Sequence, residues 1–128
     1  MNPDTRTALA RLICAQVCVH AGMTGFRMAA PLMALREGYS AAAVGVLLAL
    51  FALAQVFLAL PAGRFAQRHG LHKPFLLAGV MATAGGLLAV AWPYFGVLCV
   101  TALCSGAAVC LAMIALQRHV GHLAADAT

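Results

Sequence analysis

Four apolar runs alternate with short polar breaks along this chain, and each run reaches the roughly 20 residues needed to cross a bilayer. The pattern predicts helices over about 9–33, 41–62, 75–92 and 95–116, a polar loop over 63–74 and a polar tail over 117–128, all in one membrane domain spanning 1–128. Residues 41–62 show the logic most clearly, with Gln55 their one strongly polar side chain. At about 1.5 Å per residue they extend about 33 Å, matching a hydrocarbon core of about 30 Å. The expected fold class is therefore an all-α integral membrane protein with four transmembrane helices.

The breaks carry turn chemistry. Arg36, Glu37, Gly38 and Tyr39 form a tight connection, and Ser40 suits the N-cap of the next helix because its hydroxyl can accept an orphan N–H of the first turn. Trp92, Pro93 and Tyr94 read as an interfacial turn: the two aromatics favour the headgroup level and proline stops the helix. The stretch from Pro61 to Pro74, PAGRFAQRHGLHKP, is polar, basic and punctuated by glycine, and divides the chain into two hairpins.

Composition sharpens this picture. The chain is 64% hydrophobic and 9% charged, with a mean hydropathy of +0.96, whereas soluble domains carry about 25% charged residues. A net charge of +5 and a pI near 9.3 would suggest a nucleic-acid partner in a soluble domain. Here the basic residues lie between the apolar runs without interleaved aromatics, so no nucleic acid is expected, and the bilayer is the partner. Arg6, Arg11, Arg64, Arg68, Lys73 and Arg118 fall on one side of the predicted spans and Arg36 on the other. The positive-inside rule then predicts an N-in/C-in orientation, and the expected location is multi-pass in the plasma (inner) membrane. A secretory signal peptide is the competing reading of the first run, with Met28, Ala29 and Ala30 as its cleavage site. Gln16, His20 and Thr24 interrupt what should be its clean apolar core.

Cys14, Cys18, Cys99, Cys104 and Cys110 all fall inside apolar runs and read as packing residues. Cys14 and Cys18 share a helical face, but no spacing completes a metal-ligand set, so neither metal nor cofactor is expected. Small residues mark expected packing seams: Gly22 and Gly25 in the first helix, Ala78, Ala82 and Gly86 in the third, and Ala102, Gly106 and Cys110 in the fourth. Thr101 and Ser105 suit interhelical hydrogen bonds. With no paired carboxylates and no nucleophile beside a base, no enzyme is expected.

Arg27 is the most informative residue, since an arginine near the middle of a span costs about 2.5–3.5 kcal/mol on insertion scales. Gln16, His20, Thr24, Arg27 and Pro31 are spaced four, four, three and four apart and so share one helical face. Such a stripe reads as the wall of a wet cavity in which Arg27 attracts an anionic or strongly polar group of a small-molecule substrate. The bland reading is that Arg27 snorkels to the surface. His20 is a second candidate, able to carry a proton near neutral pH.

The segment Gly63, Arg64, Phe65, Ala66, Gln67, Arg68, His69, Gly70, Leu71, His72, Lys73 resembles the signature G-x-x-x-D-R-x-G-R-R that joins helices two and three of major facilitator superfamily transporters. Gly63, Arg68 and Gly70 match in register, and His72 and Lys73 continue the basic end. Gln67 replaces the acidic residue and Leu71 the first basic residue after the second glycine. The segments 39–45 and 27–32 also look like parts of that family. The resemblance implies a secondary transporter of twelve helices working by alternating access, of which this chain would be the start of the N-terminal half, incomplete without the remaining helices or another copy. It also implies a cytoplasmic charge latch in the loop, weakened because Gln67 does not ionise. The alternative is a stand-alone four-helix membrane protein, either a small oligomeric exporter or a non-transporting subunit. An exporter of that kind ordinarily needs a membrane carboxylate, which none of the four runs contains.

Overall fold

The computed structural model describes residues 3–125, with side chains from 6 to 122; the extreme ends of the expected domain, 1–2 and 126–128, lie outside these. Four helices follow one another: α1 (Pro3–Arg36), α2 (Ala41–His69), α3 (His72–Ala91) and α4 (Phe95–Ala125). All four are long and apolar enough to cross a membrane. They run up and down in turn. Tyr39 and Phe95 stack with ring centroids 5.0 Å apart, which puts the α1–α2 and α3–α4 turns at one end. At the other end, Gly70 and Leu71 of the α2–α3 turn share a small cavity with Arg118 and His119 of α4.

Local chemistry explains the turns. Gly38 takes a φ of +84°, and the N–H groups of Gly38 and Tyr39 return to the carbonyls of Leu35 and Ala34 at 3.1 and 3.0 Å, closing α1. Ser40 caps α2 as expected, its Oγ accepting from the Ala43 N–H at 3.3 Å. α3 ends at its C-cap, Trp92, whose N–H still reaches the Leu88 carbonyl at 3.0 Å but whose backbone turns extended ahead of Pro93, as the residue before a proline prefers, and Trp92 and Tyr94 stand exposed.

The polar loop is much shorter than the 63–74 that the sequence pattern predicts. α2 continues through Pro61 to His69 and α3 begins at His72, leaving Gly70 and Leu71 as the turn. Proline is tolerated inside membrane helices because neighbouring groups satisfy the freed carbonyl. Here Ala62, next to the proline, and Ala66, just over one turn further on, are buried, so packing carries the helix onward. The predicted tail is likewise helical, as α4 runs on to Ala125.

α4 is the hub. In its apolar core 61% of residues are buried, against 6% for α1. One cluster joins Ala30, Ala34, Leu47, Phe51, Leu98 and Ala102, with Phe26 tilted against Phe51 at 5.8 Å. A second joins Ala62, Ala78, Ala108, Leu111 and Ala112. Lipid is as apolar as leucine, so close backbone approach, rather than hydrophobicity, decides which helix sits inside. The seam of Ala102, Gly106 and Cys110 serves this purpose, all three being buried. On α3 the seam is turned slightly from the expected one: Ala78, Gly85 and Ala89 are buried, while Ala82 and Gly86 are half-buried and border a groove. Gly22 and Gly25 of α1 make no close approach to another helix.

Candidate functional site

The polar residues of α1 follow one face of the helix, but they lie in different surroundings. Gln16 is buried at 8% exposure, His20 is half-buried, and Thr24 and Arg27 are exposed. Gln16, His20 and Thr24 line one shallow hollow of about 460 Å³, closed on the α4 side by Met113. Arg27 lies about one turn beyond it on the same face. Pro31, further along, sits inside α1, which continues to Arg36.

Gln16 makes the contacts that hold the hollow together. Its Nε2 lies 3.0 Å from Nδ1 of His20, one turn on, and 3.7 Å from Sδ of Met113. Its Oε1 is buried and has no partner among the described residues. An unsatisfied buried acceptor costs about 1–3 kcal/mol, so this end of the amide is an unspent binding capacity. Thr24 and Arg27 make no hydrogen bond or ion pair among the described residues. Thr83 and Thr101, by contrast, donate to carbonyls four residues back, at 2.8 and 2.9 Å.

Thr101 also donates to the Gly85 carbonyl at 3.1 Å, the interhelical bond expected of it, tying α3 to α4. Ser105, though buried, borders an apolar groove of about 700 Å³ between α1 and α3, beside Gly22, Gly25, Gly79 and Gly86. The glycines of α1 therefore edge an open seat rather than a closed seam. Cys110 is buried, with Sγ 3.6 Å from the Gln55 carbonyl, whereas Cys14 and Cys18 are exposed. Among the described residues no group of three His, Cys, Asp or Glu side chains could hold a metal.

The residues of the loop signature are split between two faces of the α2–α3 corner. Gln67, Gly70 and Leu71 line a cavity of about 170 Å³ with Arg118, His119 and His122 of α4. Arg64 and Arg68 border an outer hollow of about 610 Å³ with Pro61 and His69, and Gln67 lies between the two, bordering both. His69 stacks on Phe65 at 4.5 Å with Nδ1 3.3 Å from the Phe65 carbonyl. Gly63 is half-buried within α2, and Lys73 is exposed in the first turn of α3. The partners that sequence reasoning missed are Met113 and the Arg118, His119 and His122 group. Met113 is one apolar residue in an apolar run, and the other three belonged to an expected tail, so only the crossing of α4 with α1 and α2 gives them a role.

The sequence model of the Major Facilitator Superfamily matches residues 12–127. No curated protein and no solved structure matches the chain.

Proposed function

Because the chain belongs to the major facilitator superfamily, we propose that it moves a small solute across a membrane by alternating access, as the N-terminal portion of a secondary transporter that works with further helices. The observation that carries this reading is the face of α1. Three polar side chains line one hollow beside α4, and an arginine with no partner among the described residues continues the row. Intramembrane ionisable residues of that kind face bundle interiors or water-filled cavities, because lipid charges too much for them. The sparse burial of α1 supports the same reading, since its free faces remain available to helices that complete the bundle.

The basic end, with Arg64, Arg68, Lys73 and Arg118, is proposed to be cytoplasmic, in the plasma (inner) membrane of a cell, with Arg36 and the Trp92–Tyr94 turn outside. Gly63, Gln67, Arg68, Gly70 and Lys73 are proposed to form the cytoplasmic corner around which α2 and α3 move. Gln16, His20, Thr24 and Arg27 are proposed as the cavity wall.

Thiol accessibility tests this. In a chain whose own cysteines are replaced by serine or alanine, Thr24→Cys and Arg27→Cys should react with a membrane-impermeant maleimide in sealed vesicles, and Val56→Cys on the outer face of α2 should not. Protection of both α1 positions to the same degree as position 56 would remove the cavity wall. In a chain that carries all the helices of a transporter, equal uptake by Arg27→Ala, Arg27→Lys and the parent, at equal protein level, would remove Arg27 from it.

A further inference from the structure

On the polar face of α1 the buried Oε1 of Gln16 is an acceptor, while the groups beyond it, on His20, Thr24 and Arg27, are able to donate, and the contact with α4 explains why His20 is one of them. We propose that Gln16 is a positioning residue that holds His20 as its Nε2–H tautomer, and that His20, Thr24 and Arg27 form a row of donors that binds an anionic group with accepting oxygens, a carboxylate or a phosphate. The proposal rests on the transport reading for the status of that group as cargo, and names its chemical class.

The chain of orientation starts at Met113. A thioether sulfur accepts and never donates, so the amide end facing it at 3.7 Å must be the nitrogen. That nitrogen has two hydrogens, and the second points to Nδ1 of His20 at 3.0 Å. Nδ1 must therefore present its lone pair, and the proton of the neutral ring sits on Nε2. Turning the amide over would set its oxygen against the sulfur, two acceptors together, and would leave the buried NH₂ unsatisfied in place of Oε1. The orphaned Oε1 is the cost of the orientation that Met113 selects.

With the tautomer set, the half-buried His20 offers Nε2–H, Thr24 its hydroxyl and Arg27 its guanidinium. The row extends about 10 Å along the helix. Neither Thr24 nor Arg27 has a partner among the described residues. The side chains lining the hollow include no carboxylate. Glu37, the one acid whose side chain is described, is exposed in the turn past the end of α1. A cationic group would meet Arg27 with nothing to offset the repulsion, whereas an anion receives charge-assisted hydrogen bonds.

The test uses the full chain in lipid nanodiscs with ¹⁵N-labelled histidine, the His20 signal being assigned by its loss in His20→Asn. The ring nitrogen shifts should report Nε2–H for His20. Gln16→Glu, which offers only acceptors, should move the proton to Nδ1, and Met113→Leu, which frees the amide to turn, should give a mixture. Titration with benzoate and with inorganic phosphate then separates the two anions, with benzamide as the neutral control. A saturable shift of the His20 signal with either anion and none with benzamide is expected, weakened about tenfold or more in Arg27→Gln. A signal in benzoate alone assigns a carboxylate, and one in phosphate alone a phosphate. An Nδ1–H tautomer in the parent protein would overturn the positioning role of Gln16. A response to benzamide equal to that of benzoate, or no response to either anion from a folded protein, would overturn the anion row. None of these readouts needs transport, so failure of the transport reading is recognised separately.

Discussion

Gly106 of α4 lies so close to Phe51 of α2 that a Cβ added to it would stand 2.6 Å from the Phe51 carbonyl oxygen and 2.9 Å from the Ala54 Cβ. The two helices meet backbone to backbone, and the obstacle is a carbonyl that has no rotamer to escape into. Gly106→Ala should therefore destabilise the bundle by about 1–3 kcal/mol, read from reversible unfolding in mixed micelles. Gly45→Ala, exposed in α2 with open space around it, should cost nothing and add up to about 1 kcal/mol of helix propensity. Equal effects of the two would mean that α2 and α4 are not in backbone contact.

The α2–α3 corner depends on one residue. Gly70 adopts φ 69° and ψ −156°, a region that only glycine occupies freely, while its N–H returns to the Ala66 carbonyl at 3.1 Å. Gly70→Ala should cost about 1–3 kcal/mol, again by micelle unfolding. An unchanged midpoint would show that the corner relaxes into another turn.

Thr101 fastens α3 to α4 through a single hydroxyl shared between the carbonyls of Gly85 and Val97. Its Thr101→Val variant keeps the shape and loses both bonds. The expected loss is about 0.6 kcal/mol, with an upper bound of about 1.7, the range found for hydrogen bonds between membrane helices. A double-mutant cycle is unsuitable here because the partner is backbone, so the measurement is the unfolding free energy itself.

Gln67 stands where an acid would face Arg118 across the small cavity of the basic end. Gln67→Asp should gain a pairing that Arg118→Gln removes, with a coupling energy of about 0.2–1 kcal/mol from the double-mutant cycle. In a chain that carries all the helices of a transporter, the same substitution should shift thiol accessibility between the two sides of the membrane. An unaltered pattern would leave the corner as a packing device only.

Much of this architecture is legible locally. Ser40 as an N-cap, Gly38 in the first turn and Pro93 as a helix stop all follow from the preferences of single residues, which act within one turn of chain. Thr101 as an interhelical donor follows from the need to satisfy a hydroxyl in lipid. The polar face of α1 follows from spacing alone. The extent of α2 does not: Pro61 looks like an ending, and only the burial of Ala62 and Ala66 against neighbouring helices shows why the helix continues.

The sequence by itself determined the number of spans, the tight turns that follow α1 and α3 and which side chains of α1 share a face, because bilayer thickness, turn chemistry and helical period act locally in any chain in lipid. Tertiary structure decided that α4 is the hub, that Gly85 rather than Gly86 meets it, and that Gln16 is turned by Met113, 97 residues away. Four runs of similar hydropathy carry no signal of which one is enclosed. That choice is made by how closely backbones approach, and it is visible only when the helices are side by side.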